Sequence, residues 1–105
     1  MAKAKITVVK KLNTNDLYGE NPPAPLDKNR VPECSVFSEG QEFVLDSLLV
    51  CPPGFCAWAY ADIQRDLMHI LWGGDCPYTK KKGVAIACCT DGLRPVIFKI
   101  ERIED

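Results

Sequence analysis

Pro52-Pro53-Gly54-Phe55-Cys56-Ala57-Trp58-Ala59-Tyr60-Ala61-Asp62-Ile63, continued to Trp72-Gly73-Gly74, is the stretch whose periodicity decides the fold. Turn-forming residues bracket it. At about 100° per residue, Cys56, Tyr60, Ile63, Leu67, Ile70 and Leu71 fall within one arc, which predicts a single main helix lying on a sheet. Cys56 then points inward at the helix start. Asp62, Asp66 and His69 form a narrow polar flank, with Asp62 placed to pair with Arg65. Ala57, Trp58, Ala61, Met68 and Trp72 gather on a further side around Arg65, an apolar strip wider than a solvent-facing helix needs.

Outward from the helix, the flanking segments alternate as strands do. Lys5 to Leu12 places Ile6, Val8 and Leu12 on one side and Thr7, Val9 and Lys11 on the other. Gln41 to Asp46 alternates again after the Ser38-Glu39-Gly40 turn, with Ser47 to Val50 either prolonging it or connecting it onward. Val84 to Cys89 and Arg94 to Ile103 flank Asp91-Gly92, a pair suited to a two-residue type I′ hairpin turn. That turn would set Cys89 opposite Arg94, Ala87 opposite Val96 and Ala85 opposite Phe98, all on the face that receives the helix, with Cys88, Ile86 and Val84 behind it. Pro95 marks its strand as an edge strand or a bulged one. The order β-β-α-β-β predicts an α+β domain with a mostly antiparallel sheet of about four strands, open or curled towards a small barrel.

Between the first two strands, Asn13 to Phe37 holds Pro22, Pro23, Pro25 and Pro32 and has little periodicity. It is expected to be a long surface excursion within the single domain, with at most one helical turn at Asp16-Leu17-Tyr18 ended by Gly19. A chain of 105 residues is large enough for one core and too small for two.

The charge balance, 13 basic against 14 acidic residues, provides no field to gather phosphates, so neither nucleic acid nor an anionic membrane is an expected partner. Lys80-Lys81-Lys82 is expected to be a solvated loop. The N-terminus lacks the apolar run of a secretory signal, so the expectation is a cytoplasmic chain whose six cysteines are thiols or metal ligands rather than disulfides.

The motifs Gly54-Phe55-Cys56-Ala57-Trp58-Ala59, Asp62-Ile63, Gly73-Gly74 and Cys88-Cys89-Thr90-Asp91-Gly92-Leu93-Arg94-Pro95-Val96-Ile97-Phe98-Lys99-Ile100-Glu101-Arg102 resemble those of a family of small prokaryotic proteins of about this length with no established activity. The resemblance runs from the first strand to the last and includes Cys34 before Gly40-Gln41-Glu42-Phe43. It implies cysteine at positions 34, 56 and 89, makes Cys51 and Cys76 individual additions, and makes the Asn21 to Val31 excursion longer than usual.

Cysteine is the leading chemical candidate. Cys34 precedes a strand, Cys56 stands at a helix N-terminus and Cys89 at a hairpin end; thiolates converging from three elements can hold zinc or an iron–sulfur cluster, with Cys88, Cys76 or His69 as the fourth ligand. No C-x-x-C spacing directs such a site, and reduced cysteine also serves as a small buried hydrophobe. Arg94, beside Asp91, can grip an anionic ligand or favour a neighbouring thiolate. Trp58, Met68 and Trp72 are candidates for a homo-oligomer interface. Three functions stay open: a small binding or accessory module with a cysteine site, a thiol-dependent redox protein or enzyme using Cys56 or Cys89, and a structural interaction protein whose cysteines only pack.

Overall fold

A computed structural model describes residues 2–46 and 50–104. Residues 47–49, the expected continuation of the second strand, lie outside the described residues. The chain runs β1 (Ala2–Lys11), α1 (Thr14–Tyr18), β2 (Glu42–Leu45), α2 (Ala57–Asp62), α3 (Gln64–Leu71), β3 (Val84–Cys88) and β4 (Val96–Glu104). Its four strands form one antiparallel sheet in the order β2-β1-β4-β3, which is open rather than closed into a barrel.

Strand alternation carries the core. Ala4, Ile6 and Val8 of β1, Phe43 and Leu45 of β2, Ala85 and Ala87 of β3, and Val96, Phe98 and Ile100 of β4 are all buried. Ile63, Leu67, Ile70 and Leu71 close over this face, as the helical arc predicts, and α3 lies against β4, β1 and β3. Small residues on β3 face large ones on β4, with Ala85 opposite Ile100 and Ala87 opposite Phe98, and this leaves room for the helix. On the opposite face, Glu101 is shared among Lys5, Lys81 and Lys99 at 3.4–3.8 Å.

Four local expectations are corrected. The long helix is two helices, interrupted at Ile63 (φ −93°, ψ 3°), with no proline or glycine at the break. The β3–β4 connection is not a two-residue turn: Cys88 pairs with Ile97, and Cys89 N–H donates to the Val96 carbonyl at 3.1 Å, a register two residues away from the expected one. Among the described residues, none other than glycine has positive φ, so Asp91 does not adopt the type I′ conformation. Because the shift is even, Ala85, Ala87 and Cys89 keep the inner face and Cys88 the outer. β4 is an inner strand, and Pro95 stands just before it, where its missing N–H costs no ladder bond. In β1 a bulge between Val8 and Lys10 leaves both Val9 and Lys10 exposed and reverses the alternation towards Lys11.

The helix ends follow local chemistry. Pro52-Pro53-Gly54-Phe55 closes through Phe55 N–H to the Pro52 carbonyl at 3.1 Å, with Gly54 at φ +81°, as position three of a type II turn requires. That turn drives Phe55 into the core. At the other end, Gly73 N–H reaches Ile70 O and Gly74 N–H reaches His69 O, the paired bonds of a Schellman cap with Gly73 at φ +99°.

The excursion is less peripheral than its composition predicts. Asn13 and Asp16 form a capping box that starts α1. Phe37, at the excursion's end, is 3% exposed and packs edge-on against Phe43, Phe55 and Phe98, with centroids 4.9–6.1 Å apart.

Candidate functional site

Cys34, Cys56 and Cys89 line one cavity of about 380 Å³. Each comes from a different part of the chain: Cys34 from the end of the excursion, Cys56 from the residue before α2, Cys89 from the residue after β3. Val36, Phe37, Ala59 and Val96 supply apolar walls, Trp58 flanks them, and Asp91 and Arg94 form the polar side. All six cysteines are free thiols, and the three in the cavity are half-buried.

Cys56 is the N-cap residue of α2, and its side chain makes no capping hydrogen bond. Cys89 Sγ, by contrast, accepts the Val96 N–H at 3.3 Å. Cys88 faces the opposite side of the sheet, where its thiol donates to the Cys89 carbonyl at 3.2 Å; burial first, then Cys89 and Asp62, push it above the usual thiol range. Cys51 packs on the core outside the cavity, raised by burial and by Cys56.

The candidate fourth metal ligands are not in this cavity. Cys76 packs elsewhere on the core, and His69 Nε2 lies 3.0 Å from the Asp75 carbonyl oxygen beyond the far end of α3. Among the described residues, no three His, Cys, Asp or Glu side chains are gathered in a way that could hold a metal ion. Three thiols therefore share a cavity without forming a ready ligand set.

The loop carrying Asp91 and Arg94 is fastened from several directions. Asp62 accepts Thr90 N–H at 2.8 Å and the Thr90 hydroxyl at 3.0 and 3.1 Å, rather than pairing with Arg65. Trp58 Nε1 donates to Thr90 Oγ1 at 3.0 Å, which aligns the indole with the cavity rim. From α1, the buried Thr14 hydroxyl donates to Leu93 O at 2.9 Å and the Tyr18 hydroxyl to Gly92 O at 2.7 Å. Within the loop, Asp91 accepts Leu93 N–H, Arg94 N–H and Arg94 Nε at 2.9–3.1 Å. Burial opposes the Asp91 charge, but these donors outweigh it and hold the carboxyl below the usual carboxylate range.

Trp58, Met68 and Trp72 do not form one strip. All three are exposed, but Trp58 belongs to the thiol cavity, while Met68 and Trp72 border a second, shallower concavity with Arg65, Asp66 and His69. That concavity spans about 640 Å³ but has no thiol in its lining, so its size does not make it the better chemical site. Sequence patterning had no signal for Val36, Phe37 or Ala59 as walls of the cavity, or for Thr14, Tyr18 and Asp62 as supports of its rim, because each acts on residues far along the chain.

Fold and site together define a small α+β domain with a thiol-lined cavity at one end of its helical layer. No family model matches the chain, and no curated protein or solved structure is significantly similar to it. No helix among the described residues is long and apolar enough to cross a membrane.

Proposed function

We propose that this chain is a small binding module whose site is the cavity bordered by Cys34, Cys56 and Cys89. The convergence of three free thiols and a tethered arginine on one mostly apolar cavity is what supports it. Recesses of this kind, with apolar walls and a few convergent polar groups, are the usual form of small-molecule sites, and this one falls within their volume range. The thiols add soft, polarisable contacts and a reactive option.

Alkylation footprinting tests this function. A bound small molecule should protect Cys34, Cys56 and Cys89 from iodoacetamide, read residue by residue by mass spectrometry, while Cys88 on the outer sheet face continues to label. Screening hits that bind without protecting the three cavity thiols refute it. Stoichiometric zinc or iron in protein purified without air would replace it with a metal site formed by movement of the same three sulfurs.

Thiol chemistry at Cys89 is the second reading, favoured by the Val96 N–H on its sulfur and by Arg94 in the same lining. Alkylation of Cys89 at pH 6 that is fast, and slowed by Arg94→Gln, supports it; equal rates in both proteins refute it. Self-association through the exposed Met68 and Trp72 belongs to the same proposal, and equilibrium sedimentation of the wild type against Trp72→Ser tests it.

A further inference from the structure

We infer that the ligand of the thiol cavity is a small carboxylate, or a similar planar oxyanion on an apolar body, gripped by the outer edge of the Arg94 guanidinium. This rests on the cavity being a ligand site and names the chemistry that the site selects.

The orientation of Arg94 comes first. Its Nε donates to Asp91 Oδ2 at 3.0 Å and its backbone N–H to Asp91 Oδ1 at 3.1 Å, so one carboxylate holds both the backbone and the guanidinium plane. Nη1 reaches Val31 O only at 3.5 Å, the long limit of a hydrogen bond. Nη2 has no hydrogen-bond partner among the described residues. An arginine fixed through Nε keeps its Nη1–Nη2 edge for a second acceptor, and that edge matches the two oxygens of a carboxylate.

Charge in the lining is consistent with an anion. Arg94 is its one cation and Asp91 its one carboxylate. Asp91 weakens the positive potential, but its oxygens are occupied by three protein donors, so it acts as a holder of Arg94 and not as a free competitor for it. The remaining walls are apolar or are thiols, which present no fixed negative charge when protonated. Phe37, Ala59 and Val96 are buried beside the cavity and suit an aliphatic or aromatic body; a bare inorganic anion would leave them uncontacted.

The rim is also pre-formed. Thr14, Tyr18 and Asp62 anchor the loop through Leu93, Gly92 and Thr90, so ordering it on binding carries little entropic cost.

The test uses the full chain in a Trp72→Phe background, so that fluorescence reports Trp58 at the rim. Benzoate is titrated against benzamide, its neutral counterpart, with iodoacetamide footprinting run in parallel. Benzoate should bind saturably and at least ~10-fold more tightly than benzamide, as a charge-assisted pair implies. Arg94→Gln should bring that ratio close to one, Arg94→Lys should leave it intermediate, and Arg65→Gln, in the other concavity, should not change it. Thermal melting confirms that each variant is folded. Equal affinities for benzoate and benzamide, with the three thiols protected by both, overturn the anion preference and leave the binding site. Benzoate binding that Arg94→Gln and Arg94→Lys leave intact also overturns it. Absence of saturable binding by either probe, with no thiol protected, overturns the anion site and the cavity's function together.

Discussion

Replacing Arg102 by methionine should remove about 2–4 kcal/mol of folding stability. The side chain leaves β4 and reaches the end of α3, where Nη1 donates to Ile70 O at 2.9 Å and to Gly74 O at 2.8 Å. It is 19% exposed, and Nη2 meets Asp75 Oδ1 at 3.3 Å. Methionine keeps most of the aliphatic stem, so the loss is that of the donors. Ile70 O retains Gly73 N–H from the Schellman cap, whereas Gly74 O has no other partner within the described protein. Charge-assisted bonds contribute roughly 1.5–3 kcal/mol each; the one to Gly74 O is lost in full, the one to the doubly bonded Ile70 O counts for only a fraction of that, and the half-exposed Asp75 pair adds little, which gives the total of about 2–4 kcal/mol. With a urea m-value of about 1–2 kcal/mol/M for a domain of this size, the midpoint should fall by roughly 2 M. Urea unfolding followed by far-ultraviolet circular dichroism reads this directly, and Arg102→Lys should recover only part of the loss because lysine cannot span both carbonyls with one planar group. A midpoint change below about 0.3 M, or full recovery by lysine, would show that the guanidinium does not fasten the helix end to the sheet.

Phe37→Ala should cost about 3–5 kcal/mol, measured by the same unfolding experiment, although the residue ends a proline-rich segment; a cost under about 1 kcal/mol would return that segment to the surface. Gly74→Ala should be destabilising because its new Cβ would stand 2.2 Å from the His69 ring, and the loss should largely disappear in a His69→Ala background. Equal losses in both backgrounds would place the cause in the backbone instead. Asp75 is held below the usual carboxylate range by the Gly83 N–H first, against burial, and then by Arg102, and Asp91 is also lowered. Since both folded-state values lie below the unfolded one, their stabilisation is complete above about pH 5 and is lost as pH falls through the folded values. Asp75→Asn should therefore flatten the acid limb of a stability–pH curve, and an unchanged limb would contradict the assignment.

The inner and outer faces of β2, β3 and β4 and of β1 as far as its bulge, the apolar arc of Ile63, Leu67, Ile70 and Leu71, and the glycine cap after Trp72 follow from residue spacing and turn chemistry, which act within a few neighbours. The register of β3 on β4 does not. Asp91-Gly92 carries a strong local preference for a tight turn, yet Asp62, Thr14 and Tyr18 hold a longer connection from outside it, and no local pattern encodes those bonds. The break at Ile63 is likewise absent from the periodicity.

For the site, the sequence by itself determined that thiols stand at three junctions between elements and that Arg94 stands beside Asp91. Only the tertiary structure decided that Cys34, Cys56 and Cys89 share a cavity, that Cys76 and His69 lie outside it, and that Phe37 is part of the core. The physical reason is range: side-chain direction along a strand or helix repeats over a few residues, while the meeting of positions 34, 56 and 89 depends on how a whole sheet face is covered.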